Sequence, residues 1–322
     1  MRAPLVSFTF LILAGCSTGV AVPENSRTFH GSLPIKAVCT TGMVGDLVRN
    51  VGGANVVVTD LFKAGVDPHT YRATTDDLRT LQSADIVFYN GLHLEGKMGT
   101  VLERRGQKVP SVGIGDSLAT APAPQSDARQ ATYEKGWLLR DGEHPDPHIW
   151  FDVHLWSKMA DVVADKLAEF DPPRADEYRK RGSEYRARLE KLDAEVRGQI
   201  AGIPKEKRVL ITSHDAFRYF GRAYDIDVRG IQGVSTETEA SVSHITDLVD
   251  FLTKSKVQAV FVESSVNPRN MKALIEGCQA RGHSVRQGGE LFSDAMGNPG
   301  TPDGTYEGMI RHNVKTVLDA LK

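Results

Sequence analysis

Short apolar runs alternating with amphipathic stretches organise most of this chain. "IKAVCTT" (35–41), "NVVVTDLF" (55–62) and "DIVFYNG" (85–91) are rich in β-branched and aromatic residues, while the intervening "MVGDLVRNVGG" and "TTDDLRTLQSA" space their apolar positions as helices do. A parallel strand buried on both faces reads as an unbroken apolar run and needs a crossover helix to bring the chain back, so the alternation predicts βαβ construction. "KVPSVGIGD" adds a strand, and the Pro-rich excursion from 119 to 147 then leads into "HIWFD". A second series follows: strands "RVLITSH", "DIDVRGIQG", "VQAVFVESS" and "SVRQGGEL" alternate with helices "DAFRYFGRAY", "TEASVSHITDLVDFLTKS" and "NPRNMKALIEGCQARG", and the helix "TYEGMIRHNVKTVLDALK" closes the chain.

Between the two series, residues 173–200 are heavily charged around a narrow apolar stripe of Tyr178, Tyr185, Leu189, Leu192, Val196 and Ile200. Asp176 with Lys180, Glu177 with Arg181 and Glu184 with Arg188 have the i, i+4 spacing that supports an exposed helix. The pattern predicts one long rigid helix of about 40 Å, with Gly182 as a local weak point. The expected organisation is an N-terminal α/β lobe over 35–172, a linking helix over 173–203 and a C-terminal α/β lobe over 204–322.

The N-terminus differs from everything that follows. "MRAPLVSFTFLILAG" carries one positive charge, then an apolar run too short to span a bilayer, then small residues before Cys16. The expectation is a signal peptide over 1–15, with "LAGC" resembling a lipobox. That resemblance implies cleavage before Cys16, lipidation of its thiol, and a polar spacer over 16–34 that holds the protein off the membrane. Of the other cysteines, Cys39 falls in a strand-like segment and Cys278 in a helix-like one. Neither has Cys-x-x-Cys spacing, so both are read as small buried hydrophobes.

With 322 residues and 40% hydrophobic content the chain can bury a sizeable core, and a formal net charge of -2 offers no broad basic face for nucleic acid. The candidate chemistry lies in histidines at segment ends. Asp-Pro-His occurs twice, at Asp67–His69 and Asp146–His148. Proline fixes its own φ and restricts the residue before it, so each histidine is presented from a stiff backbone, and Asp67 and Asp146 are candidates to orient the imidazoles. His214 ends a very apolar strand, and Asp294 follows "RQGGELF". Ligand sites in open α/β sheets sit where strands end. The four, taken as lying at strand edges with two from each lobe, are therefore expected to converge on the cleft and hold one metal ion.

"VDPHTY", "YNGLHLEG", "DPHIWFD", "LITSHDAFRYFGRAYDI", "GVSTETEAS", "VFVESS" and "GGELFSDAMG" together resemble the metal-binding solute receptors of ABC importers, the TroA-like lipoproteins. The resemblance covers nearly everything from Ile35 to Lys322. It implies two Rossmann-like lobes with central parallel sheets bridged by a long helix, and a metal site in the interlobe cleft formed by His69, His148, His214 and Asp294. It also implies that the chain works as a monomer, anchored by lipid to the outer side of the membrane in the periplasm or at the cell surface. There it hands its ion to an ABC permease and its ATPase. Some relatives that take manganese or iron place glutamate at the third position, where this chain has His214. Three imidazoles and a carboxylate suit zinc and admit manganese, so the expected ligand is one Zn2+ or Mn2+ ion per chain.

The remaining histidines receive plainer readings. His93 is expected to be a hydrogen-bonded structural residue and His144 a weak accessory site. His30, His154, His244, His283 and His312 are expected at the surface or in packing roles. The alternatives weighed against a receptor are a zinc hydrolase with Glu263 as general base, and a surface adhesin. "SDAMGNPGTPDG", beside Asp294, is the segment expected to move when metal leaves.

Overall fold

The computed structural model describes residues 28–107, 109–121, 130–133 and 136–322. The expected signal peptide, Cys16 and most of the spacer lie outside them. The first lobe is built from β1 (Ile35–Cys39), α1 (Gly42–Gly52), β2 (Val56–Asp60), α2 (Thr75–Ser83), β3 (Ile86–Tyr89), α3 (Gly99–Gly106), β4 (Ser111–Gly113) and the short α4 (Ser117–Thr120). Its strands form one parallel sheet in the order β2-β1-β3-β4, with Ile35 opposite Val56 and Ala37 opposite Ile86. The helices begin where the sequence supplies caps: the Thr41 hydroxyl accepts from Val44 N, and Thr74 with Asp77 forms a capping box.

A two-residue hairpin, β5 (Arg140–Asp141) with β6 (His144–Pro145), leads to α5 (Val153–Phe170) and α6 (Ala175–Ala201). The second lobe contains β7 (Val209–His214), α7 (Arg218–Tyr224), β8 (Asp227–Gln232), α8 (Val242–Ser255), β9 (Ala259–Glu263), α9 (Arg269–Ala280), β10 (Arg286–Leu291) and α10 (Tyr306–Leu321). Here β7 pairs with β8 and β9 with β10, both parallel, and β7 lies beside β9. The molecule thus has the expected two Rossmann-like lobes and long helix.

Two features go beyond the pattern. α5 was not predicted from the sequence, although it is amphipathic: Trp156, Met159, Ala160, Val163 and Leu167 are buried, while His154, Lys158, Asp161, Asp165 and Glu169 line the opposite face. It packs along α6, so the lobes are bridged by a helix pair. Gly182 is where the two helices meet closely rather than a weak point. A Cβ there would sit 2.7 Å from Ala164 Cβ and 3.2 Å from the Ala160 carbonyl oxygen. On α6 only the Glu177–Arg181 pair of those expected forms, at 3.3 Å, while Arg188 reaches across to Glu307 at 2.9 Å.

One continuous hydrophobic core runs from β1 and α1 through α5 and α6 to α10, Ala259 and Phe261 of the second lobe. Smaller clusters cover the outer faces of each sheet. Cys39 and Cys278 are buried and free, as their sequence context implies.

Candidate metal centre

The four donors come from four different backbone settings. His69 sits in the loop after β2, where Asp67 Oδ1 accepts its backbone N–H at 2.9 Å. The stiff Asp-Pro step therefore orients the peptide rather than the ring at this position. At the second Asp-Pro-His, Asp146 does both: its Oδ1 accepts His148 N–H at 3.0 Å and lies 2.8 Å from Nδ1. His148 is not at a strand edge as expected. It precedes the helical turn Ile149–Phe151 that runs into α5, because Asp152 caps that helix at Leu155 N and pulls the segment into helical geometry. His214 ends β7, and Glu263, at the end of β9, accepts its N–H at 2.8 Å and approaches its Nδ1 to 2.5 Å. Asp294 follows β10 in a loop held by the Trp150 indole donating to Ser293 O at 3.1 Å.

A carboxylate can only accept, so Nδ1 of His148 and His214 carries the hydrogen and each Nε2 turns a lone pair to the centre. The His148 Nε2 atom lies 3.3 Å from both His69 Nε2 and His214 Nε2. Asp294 Oδ1 is 3.4 Å from His148 Nε2, and its Oδ2 is 3.3 Å from His214 Nε2 and 3.8 Å from His69 Nε2. A tetrahedral ion with bonds of about 2.0–2.1 Å keeps its donors about 3.3–3.4 Å apart. Most of these spacings match a single tetrahedral coordination shell; the 3.8 Å approach is wider, and all four donor atoms lie within 4.8 Å of one another. All four residues are buried, and neither Asp294 carboxylate oxygen has a hydrogen-bond partner among the described residues.

The electrostatics match a site made for a cation. Burial pulls His69 down to about 4. Burial acts the same way on His148 and His214, but Asp146 and Asp294 at the first and Glu263 and Asp294 at the second outweigh it, and both imidazoles end above their ordinary value. Burial alone would raise Asp294, yet His214 and His148 hold it well below the usual carboxylate range.

Other expected residues fall elsewhere. His93 is exposed in a left-handed conformation, φ 67°, and takes part in its turn through its carbonyl, which accepts from Gly96 N, rather than through its ring. Its ring stands edge-on to that of exposed His144 at 6.3 Å, away from the cluster. His244, His283 and His312 each place Nε2 near a backbone carbonyl, of Gly230, Val257 and Glu290. Glu263 was considered above only as a general base, and the structure commits both of its oxygens to His214. Its part was invisible in the sequence because 49 residues separate the two.

Two α/β lobes closing on three imidazoles and a carboxylate define a solute-binding protein for a transition-metal ion. The chain belongs to the ZnuA family, "Zinc-uptake complex component A periplasmic", whose model matches residues 37–320. It is 45% identical over 312 residues to the zinc-binding protein TroA of Treponema pallidum, covering 97% of this chain and 96% of that protein. It is 41% identical over 319 residues to the manganese-binding lipoprotein MntA of Bacillus subtilis, covering 98% and 97%. The solved structure of the periplasmic zinc-binding protein TroA superposes with a TM-score of 0.82 at 43% identity, covering 90% of this chain and 99% of that one.

Proposed function

We propose that this protein captures a zinc or manganese ion outside the cytoplasmic membrane through His69, His148, His214 and Asp294, and delivers it to an ABC permease driven by its ATPase. The observation that carries the assignment is the gathering of three buried imidazole nitrogens and a buried carboxylate within 4.8 Å of one another, most of them 3.3–3.4 Å apart. The relatives named above include one described as zinc-binding and one as manganese-binding. Three imidazoles favour zinc in direct competition, since affinity rises along the first-row divalent metals from manganese onward.

The protein acts as a monomeric receptor and catalyses no reaction. Four protein donors complete a tetrahedral shell and leave no position for an activated water, and Glu263, the candidate base, is already engaged by His214. Cys16 carries the lipid that keeps the receptor beside its permease. Residues 35–172 and 204–322 form the lobes, and 173–203 the connecting helix.

Calorimetry with zinc and with manganese on chelator-stripped protein tests the site. The His148→Ala and Asp294→Ala proteins are expected to lose tight binding of both ions, and wild-type affinity in either would refute the assignment. Cys16→Ser is expected to move the protein from the membrane fraction to the soluble exported fraction.

A further inference from the structure

The loop that carries His69 is held from the opposite lobe by residues that do not touch the metal cluster. Asp67 divides its carboxylate between two tasks. One oxygen accepts His69 N–H, and the other accepts the hydroxyls of Thr70 at 2.9 Å and of Thr236 at 2.6 Å. Thr236 belongs to the second lobe, in the "GVSTETEAS" segment between β8 and α8. That segment is itself braced: the Gln232 side-chain amide donates to Thr238 O at 3.2 Å, and Ser241 caps α8.

The neighbouring residue makes a second crossing. Glu237 lies 3.7 Å from Lys97, and Lys97 follows Gly96, whose missing side chain lets the chain pass within 2.3 Å, measured from a would-be Cβ, of the His69 carbonyl oxygen. Residues 236 and 237 therefore engage the His69 loop and the turn that packs against it. The Lys97–Glu237 pair is nearly half exposed, where such pairs contribute little. The Thr236 hydroxyl, half-buried and donating to a charged acceptor, is the stronger contact.

We propose that Thr236 is a positioning residue for ion retention. Its hydroxyl clasps the second lobe to Asp67, which holds the His69 backbone, so retreat of the His69 loop from a bound ion opens this interlobe bond as well. The inference rests on the metal-capture reading of the cluster. A clasp that closes over a bound ion slows its escape more than its arrival, so the effect falls on the dissociation rate.

The test is stopped-flow release of Zn2+ to a chromophoric chelator, with association measured separately, on wild-type, Thr236→Val and Thr236→Ser proteins. Thr236→Val removes the donor at nearly constant volume. It is expected to raise the zinc off-rate about tenfold while leaving the on-rate unchanged. Thr236→Ser, which keeps the hydroxyl, is expected to restore slow release. An off-rate in Thr236→Val equal to that of a zinc-binding wild type would overturn the clasp and leave the metal site standing. Equal acceleration of release and uptake would overturn it too, since that marks a gate and not a hold. A wild-type protein that takes up no zinc would overturn both.

Discussion

At the residue scale the cluster depends on carboxylates that never reach the ion. Glu263 fixes which nitrogen of His214 faces the centre and, by accepting from Nδ1, makes that imidazole a better donor. Glu263→Gln keeps the shape but offers an amide in place of the anion. Zinc affinity is expected to fall about 10–100-fold by competition titration, with little change in melting of the metal-free protein. The same carboxylates raise His148 and His214 above the ordinary imidazole value, so in the metal-free protein these rings give up their protons at higher pH than a free imidazole. An arriving ion must displace those protons. Calorimetry in buffers of different ionisation enthalpy is expected to show proton release on binding that falls as pH rises. Affinity should keep rising with pH beyond the point where a free imidazole would have finished titrating.

At the scale of elements, two contacts decide how loops and helices are held. Glu95 is buried in the turn after β3, where it accepts from the Thr40 hydroxyl and from Asn90 and Gly91 N–H; the Asn90 amide in turn donates to Pro147 O, next to His148. Burial pushes its carboxyl up to about 7. The folded form therefore holds its proton more tightly than the unfolded chain. Stability from this group is full below about pH 4.3 and is lost as pH rises toward 7, on the order of 3 kcal/mol. Glu95→Gln is expected to flatten that part of a denaturation-versus-pH profile. Where α5 and α6 cross, Gly182→Val would gain helix propensity but drive atoms into Ala164 and Ala160. A net loss of about 1–3 kcal/mol in urea denaturation is expected.

These elements also show what the sequence could and could not reveal. The strands, α6 and its apolar stripe were legible because their periodicities are local. His69, His148, His214 and Asp294 stood out through stiff Asp-Pro steps and the ends of apolar runs. Glu263, Thr236 and the role of Gly182 were not legible, since each acts through a residue distant in sequence; α5 did carry an amphipathic pattern, with His154, Lys158, Asp161, Asp165 and Glu169 on one face.

At the scale of the whole molecule, the α5–α6 pair and the core running through it tie the lobes along their length. Trp150 is sunk in that shared interior. Its ring centroid lies 5.2 Å from that of His148, and its indole donates to the loop that presents Asp294. The protein thus contains a fluorophore in van der Waals range of its own cargo site. Manganese(II), with unpaired electrons, is expected to quench tryptophan emission on binding, whereas closed-shell zinc should change it only slightly, and Trp150→Phe should abolish the difference. Cargo identity would then be written in the light the molecule emits, with no label attached.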